Sequence, residues 1–354
     1  MGPNKPNENY SFDLKWQDRR QESARLKAKK NAPPPPDRRG RKRKGDDSDE
    51  PSSVAAPGTN MGVVVETYRH HVMALNGVEV TPCLLAGADI PADMLPLVVG
   101  DRVTFDIDEG TGRIRHALPR TSILARLRED RSRRSADGGE GQVLAANVDV
   151  AVIVASAAAP PFHPRFVDRY LVMCQYGGVA PVICLNKCDL VKEPPSLANY
   201  ERMGVPVVFT SAAENVGIDQ LRALLRGKLA VLTGQSGVGK SSLINRLLGQ
   251  DELRVGTVSD YSSRGRHTTT MATLRPLPDG GFLIDTPGIR SLGLWNIERR
   301  DLRLYFPEFE DFADQCKFRD CAHMGEPSCA VRAASERGDL PPERYDSYLR
   351  LMQA

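Results

Sequence analysis

The 354-residue chain has no apolar run approaching the length of a membrane span, and its first residues lack the apolar core of a secretion signal. A soluble, cytoplasmic protein without membrane partners is therefore expected. There is also little excess charge: 48 Lys and Arg against 45 Asp and Glu leave a formal net charge of only +3. Seven cysteines are too few and too scattered for a disulfide scaffold. Three of them, Cys316, Cys321 and Cys329, crowd near the end with His323, which in a reducing compartment points to metal. The length suits two or three domains with ample material for a core.

What charge there is sits in blocks. Residues 1 to 60 carry the proline run Pro33 to Pro36, the basic block Arg38 to Lys44 and the acidic patch Asp46, Asp47, Asp49 and Glu50. Such a composition predicts a disordered tail, which either grips nucleic-acid phosphates or merely aids solubility. From Met61 the pattern changes to short alternating strands: Gly62 to Glu66, His71 to Leu75, Val78 to Thr81, Arg102 to Asp106 and Gly112 to His116. Asn76-Gly77 is a strong hairpin signal between the second and third. Five short strands predict a small β-barrel over 61–127. An OB-fold is the common oligonucleotide reader of that strand count, with an SH3-like barrel as the other form. A basic linker follows over 128–144, carrying Arg128, Arg131, Arg133 and Arg134.

The strongest motif is GQSGVGKSS. Its residues are Gly234, Gln235, Ser236, Gly237, Val238, Gly239, Lys240, Ser241 and Ser242, and they fit the phosphate-binding loop G-x-x-x-x-G-K-[ST]. The apolar run Leu229 to Thr233 before it suits a buried parallel strand. Ser242 to Leu248 reads as a helix that Gly249 can cap. Strand, glycine loop and helix start are what a nucleotide triphosphate needs. The glycines let backbone N–H groups crowd a phosphate, and the helix N-terminus adds partial positive charge. Lys240 would reach the β- and γ-phosphates, and the Ser241 hydroxyl would ligate Mg²⁺.

Two further stretches name the base. Asn186-Lys187-Cys188-Asp189 follows the predicted strand Ala180 to Leu185, and Ser211-Ala212-Ala213 follows the strand Val205 to Phe209. N-K-x-D followed by S-A is the guanine-reading pair of P-loop GTPases. A buried Asp189 carboxylate accepts from guanine N1–H and the 2-amino group. Adenine lacks that donor pair and would leave the carboxylate unpaired. Lys187 can lie along the base, Asn186 can brace the phosphate loop, and the Ala212 N–H can meet the guanine carbonyl. An ATP-dependent kinase is disfavoured by Asp189 and by the lack of an obvious phosphoacceptor site.

Asp285-Thr286-Pro287-Gly288 closes the strand Phe282 to Ile284. Asp285 is placed to hold Mg²⁺ through water, and the Gly288 N–H to sense the γ-phosphate. A threonine among Thr268, Thr269 and Thr270 would complete the Mg²⁺ shell. The position after D-x-x-G is Ile289, where many GTPases carry the glutamine that orients the attacking water. Slow unassisted hydrolysis is therefore expected. Either His267 places the water once a partner orders its loop, or RNA or an ion supplies the missing group.

The guanine-reading motifs precede the phosphate loop, the reverse of the common order. That is a circular permutation, which can build the same sheet with its ends opened elsewhere. The part after Asp285 to Gly288 is thereby coupled to the nucleotide state. It contains Cys316, Cys321, His323 and Cys329, a donor set suited to one structural Zn²⁺ with no open position, the other reading being a chance cluster of buried cysteines. Lys317, Arg319, Arg332 and Arg337 make the region read as basic, and Pro342 to Leu351 reads as a short amphipathic helix.

On N-K-C-D, G-Q-S-G-V-G-K-S-S, G-R-H-T-T-T, D-T-P-G and the Cys316/Cys321/His323/Cys329 cluster, the chain from about Met61 onward resembles the RsgA (YjeQ) family of small-subunit ribosome biogenesis GTPases. The resemblance implies a multidomain protein: an N-terminal OB-fold barrel, a central α/β P-loop GTPase domain in permuted order over 145–297, and a mostly helical zinc-binding domain over 298–354. It also implies binding to the small ribosomal subunit and its rRNA late in assembly, and departure after GTP hydrolysis to GDP. A monomer is expected. The alternative is a GTP-regulated switch acting on a protein or translation factor, with the flanking modules as protein-binding units.

Overall fold

Five strands rich in alternating apolar residues wrap the first domain: β1 (Asn60–Thr67), β2 (His71–Asn76), β3 (Glu79–Leu84), β4 (Arg102–Asp108) and β5 (Thr111–Ala117). They come from a computed structural model, which describes residues 60–68, 71–77, 79–85, 87–91, 94–127, 141–249, 273–285 and 299–353. The strands close in the order β1-β2-β3-β5-β4, with β4 returning to β1 and β3 lying parallel to β5. Of the two barrel forms left open by strand count, this order is that of an OB-fold. Val64, Val72, Ala74, Val103, Phe105 and Ile114 fill the interior. The hairpin falls where Asn76-Gly77 places it: Asn76 ends β2 opposite Glu79, and Gly77 has φ +64°.

Part of the stretch read as linker is structured. Strands β6 (Ile123–Leu127) and β7 (Gly141–Ala146) pair antiparallel. Arg128, Arg131, Arg133 and Arg134 lie between them, outside the described residues. The hairpin's base ties barrel to sheet. Ala146 N–H donates to Val99 O, while Asn147 donates through Nδ2 to Gly100 O at 2.9 Å and accepts from Thr121 N–H at 2.9 Å. Beside it, the buried Asp101 takes Arg120 through both carboxylate oxygens, at 2.7 and 2.8 Å.

The central domain alternates strand and helix: β8 (Val150–Ser156), α1 (Pro164–Gly177), β9 (Ala180–Asn186), α2 (Ala198–Arg202), β10 (Val207–Phe209), α3 (Ile218–Leu225), β11 (Leu229–Gly234), α4 (Lys240–Leu248), β12 (Thr273–Pro276) and β13 (Phe282–Asp285). The sheet order is β10-β9-β8-β11-β13-β12, parallel except for the edge strand β12. A parallel sheet must be covered on both faces. Here α1 packs Val167, Leu171 and Cys174 on Ile153, Ile183 and Val231. On the other face α3 and α4 pack Leu221, Leu225, Leu243 and Leu247 on Val152, Val154 and Leu232. The chain moves outward from β8 to β10, then returns to β11 on the other flank of β8. The loops after β9, β10 and β11 therefore share one edge of the sheet, beside the point where strand order reverses, which is where such sheets bind ligands.

Beyond 298 the described chain is mostly helical: short 3₁₀ turns at Arg299–Tyr305 and Pro307–Phe309, then α5 (Glu310–Ala313), α6 (Ala330–Arg337) and α7 (Pro342–Gln353). Its core joins Leu302, Phe306, Phe309, Val331 and Tyr348 to Val172 of α1. One charged side chain fastens it there. Arg344 donates from Nη1 to Asp168 Oδ1 at 2.8 Å and from Nε to Glu308 Oε1 at 2.5 Å, with its guanidinium 4.4 Å from the Phe306 ring centre. Tyr200 donates to the same Asp168 oxygen at 3.1 Å. Arg344 and Asp168 are both almost fully buried. Removing one member of such a pair strands the other. Arg344→Ala is expected to lower stability by about 3–5 kcal/mol in equilibrium urea unfolding, and a loss below about 1 kcal/mol would contradict this role.

Candidate functional site

The phosphate loop leaves β11 through backbone that only glycine tolerates at two points. Gly234 has φ +153°, and a Cβ there would lie 2.4 Å from Val154 O on the neighbouring strand. Gly239 has φ +96°, and its Cβ would meet Asn186 Nδ2 at 2.3 Å. Between them Val238 is buried against the core and pins the loop, while Gln235 is half-buried and Ser236 and Gly237 are exposed. Helix α4 opens at Lys240, two residues earlier than its sequence pattern suggested, so Ser241 and Ser242 stand exposed in its first turn. The Lys240 ammonium donates to the carbonyls of Gly234 at 2.8 Å and Gln235 at 2.5 Å. It thus sits across the loop at a helix N-terminus, where an anion is favoured.

Asn186 ends β9 and is buried. Its Nδ2 donates to Val238 O at 2.9 Å, and its Oδ1 accepts from Thr210 Oγ1 and from the Ala212 N–H, both at 3.1 Å. One side chain therefore holds three loops together. The Ala212 N–H, expected to face the guanine carbonyl, is instead directed to Asn186. Lys187 sits at φ +63° and donates its ammonium to Ala159 O. Cys188 donates its N–H to Thr210 O at 3.1 Å and its thiol to Leu185 O at 3.2 Å, and burial raises the thiol pKa. Asp189 follows in a short 3₁₀ turn and is exposed, not buried as the sequence argument assumed. Its carboxylate stays hydrated until a ligand covers it, so the discriminating penalty arises only on binding.

The Ser211 hydroxyl accepts from the Glu214 N–H at 3.1 Å, and Ser211 and Val216 exchange backbone bonds that fold the loop back on itself. Ala212 is buried and Ala213 exposed. Thr210 and Arg246, which position this loop, carry no motif signal in the sequence. Asp285 is the last residue of β13, next to β11 in the sheet. His267, Thr268, Thr269, Thr270, Gly288 and Ile289 lie outside the described residues.

A second constellation sits in the C-terminal domain. The donor atoms of Cys316, Cys321, His323 and Cys329 all lie within 4.8 Å of one another. His323 Nδ1 is 3.7 Å from Cys316 Sγ and 3.5 Å from Cys329 Sγ. Tetrahedral zinc with thiolates at about 2.3 Å needs donors roughly 3.7 Å apart, so the group fits. Backbone N–H groups of Ala330 and Arg332 point at the sulfurs of Cys316 and Cys329, at 3.3 and 3.4 Å. Burial and then the nearby Arg303 lower the His323 pKa, favouring the neutral imidazole that ligates. Burial raises the Cys321 thiol pKa to about 12 in the absence of a cation, whose charge would reverse that direction. The surroundings are less basic than the sequence suggested. Arg332 pairs with Glu336 at 2.8 Å and Arg337 with Asp339 at 2.9 Å, and carboxylates outnumber cations between Glu310 and Asp339.

Sheet order, phosphate loop and N-K-C-D edge together define a circularly permuted P-loop GTPase domain behind an OB-type barrel. The RsgA GTPase family model matches residues 117–295. The chain is 43% identical over 266 residues to the small ribosomal subunit biogenesis GTPase RsgA of Chlorobaculum parvum, covering 73% of this chain and 85% of the relative. Its fold is similar to YloQ, a circularly permuted GTPase (TM-score 0.65, 28% identity, 83% of this chain and 94% of the other). It is also similar to YjeQ from Thermotoga maritima (TM-score 0.63, 29% identity, 83% and 98%). The chain belongs to the RsgA GTPase family. No helix among the described residues is long and apolar enough to cross a membrane.

Proposed function

We propose that this protein is a GTP hydrolase of small ribosomal subunit biogenesis, which binds the subunit late in assembly and leaves it after converting GTP to GDP and phosphate. The observation that carries the reading is the convergence of the N-K-C-D, S-A and phosphate loops on the single side chain of Asn186. The named activity of the relatives supports the same reading. In it, the loop amides from Gly234 to Lys240 and the Lys240 ammonium hold the phosphates. Asp189 and Lys187 take the base. Ser241 and Asp285, with Thr268 or Thr269, would hold Mg²⁺, which would supply positive charge against the phosphates. Gly288 senses the γ-phosphate, and the water is placed either by His267 or by RNA or an ion.

The barrel and the Arg128 to Arg134 segment supply rRNA contacts. Cys316, Cys321, His323 and Cys329 hold one structural Zn²⁺, which closes the domain rather than taking part in hydrolysis. The protein acts as a cytoplasmic monomer in five parts: a tail over 1–60, barrel over 61–127, linker over 128–144, GTPase domain over 145–297 and zinc domain over 298–354.

Co-sedimentation with purified ribosomal subunits tests the reading. Binding is expected to small subunits with a non-hydrolysable GTP analogue and to weaken with GDP. Equal binding to large subunits, or no response to nucleotide, would contradict it. Metal analysis is expected to give one zinc per chain, lost in Cys321→Ser, with the C-terminal domain becoming protease-sensitive while the GTPase domain stays resistant. A zinc-free protein with undiminished protease resistance there would overturn the metal assignment.

A further inference from the structure

The loop that follows β10 is clasped from the side opposite Asn186 by an arginine in the phosphate-loop helix. Arg246, half-buried near the end of α4, donates from Nε to Ala212 O at 2.9 Å and from Nη2 to Ala213 O at 3.2 Å. A guanidinium presents these donors in a rigid fork, so two successive carbonyls fix the loop's orientation as well as its distance. The clasp is reciprocal. Arg222, on the helix α3 that the loop leads into, donates from Nη2 to the carbonyl of Arg246. The Arg246 backbone is thus tied to α3 while its side chain holds the loop that precedes α3.

The positions of these groups along α4 give the clasp a meaning. Lys240 opens the helix at the phosphate loop, and Arg246 lies six residues on, about 9 Å along the axis. The same short helix therefore carries both the phosphate-binding end and the hold on the S-A loop. Asn186 grips the Ala212 N–H from one side, and Arg246 grips the Ala212 and Ala213 carbonyls from the other. The Ala212 N–H is directed to Asn186, and the next residue, Ala213, is exposed, which makes its amide the candidate donor toward a base.

We propose that Arg246 is a positioning residue for base recognition: it locks the Ala212–Ala213 loop to the phosphate-loop helix and so holds the Ala213 amide toward the 6-oxo group of guanine. The inference rests on the guanine-site reading above and adds to it the residue that sets 6-oxo recognition. Arg246 itself touches neither base nor phosphate. Its effect is confined to one edge of the base, because Asp189 reads the N1–H and 2-amino edge from a different loop.

That separation gives the test. 6-Thioguanosine diphosphate replaces the 6-oxo acceptor by a weaker and larger sulfur while keeping both donors of the opposite edge, whereas inosine diphosphate removes only the 2-amino group. Affinities of GDP, both analogues and ADP are measured by calorimetry on the full-length protein and its variants. Arg246→Ala is expected to weaken GDP up to roughly tenfold, the scale of one lost amide–carbonyl hydrogen bond. Its preference for GDP over the 6-thio analogue should fall toward one, with the preference over inosine diphosphate as in the wild type. Arg246→Lys keeps the charge without the fork and should fall between, and it carries the same comparison if the alanine variant does not fold. An unchanged 6-thio preference in the variants overturns the proposal, as does a parallel collapse of both preferences, which would mark Arg246 as merely structural. A wild-type protein that binds ADP as well as GDP would sink the guanine reading itself and the inference with it.

Discussion

The nucleotide edge of this protein depends on how one buried carboxamide spends its donor and acceptor. Asn186 stands at the end of β9, and the phosphate loop leaves β11, two strands away across β8. Its Nδ2 reaches over the end of β8 to Val238 O, while its Oδ1 collects Thr210 and Ala212 from the loop after β10. A carboxamide carries donor and acceptor on two separate atoms of one short side chain, so it can serve loops on two sides at once. A carboxylate at this position would set a buried charge against the Val238 carbonyl, and an apolar residue would leave a buried N–H and C=O unpaired. The geometry is indifferent to the order in which the chain visits the strands. A permuted sequence can therefore assemble the same edge, provided that these strands end side by side.

The permutation also sets where the C-terminal domain attaches. Its chain departs downstream of β13, yet its core closes on α1, through Val172 and the Arg344–Asp168 pair. Helix α1 follows the segment in which Ala159 O accepts Lys187 and Pro160 packs 3.7 Å from the position a Gly237 Cβ would take. The metal-cluster domain thus rests on the helix whose approach touches both the base side and the phosphate side of the site. Burial makes that attachment specific rather than merely adhesive, because a displaced Arg344 would leave two carboxylates without their counter-charge.

Much of this was legible in the residues. The phosphate loop, N-K-C-D and the metal cluster are local patterns whose spacing reflects local geometry, and Asn76-Gly77 sets the barrel hairpin because the turn demands positive φ. What escaped was set by contacts distant in sequence. Asp168 and Arg344 are 176 positions apart, and Arg246 meets Ala212 across 34, so no periodicity announces either pair. The β6–β7 pairing was missed because the barrel was ended at 127, with β6, and most of β7 was given to the linker, although Asp137-Gly138-Gly139 between them is a turn signal. The basic reading of the C-terminal domain failed for a different reason: Glu336 and Asp339 stand only four and two positions after Arg332 and Arg337 and pair with them, and the cations were counted without these carboxylates. Exposure of Asp189 could not be read either, because a carboxylate that is buried only by its ligand leaves no mark in hydrophobic pattern.

That exposed carboxylate carries the central claim, that a permuted site reads guanine from its N1–H and 2-amino edge. Asp189→Asn replaces an acceptor pair by an amide, whose NH₂ can donate to a 2-oxo group. The direct measurement is competition between GTP and xanthosine triphosphate for binding and hydrolysis by wild-type and Asp189→Asn protein. The account predicts that the substitution weakens GTP and moves preference to xanthosine triphosphate. An Asp189→Asn protein with undiminished preference for GTP would contradict it.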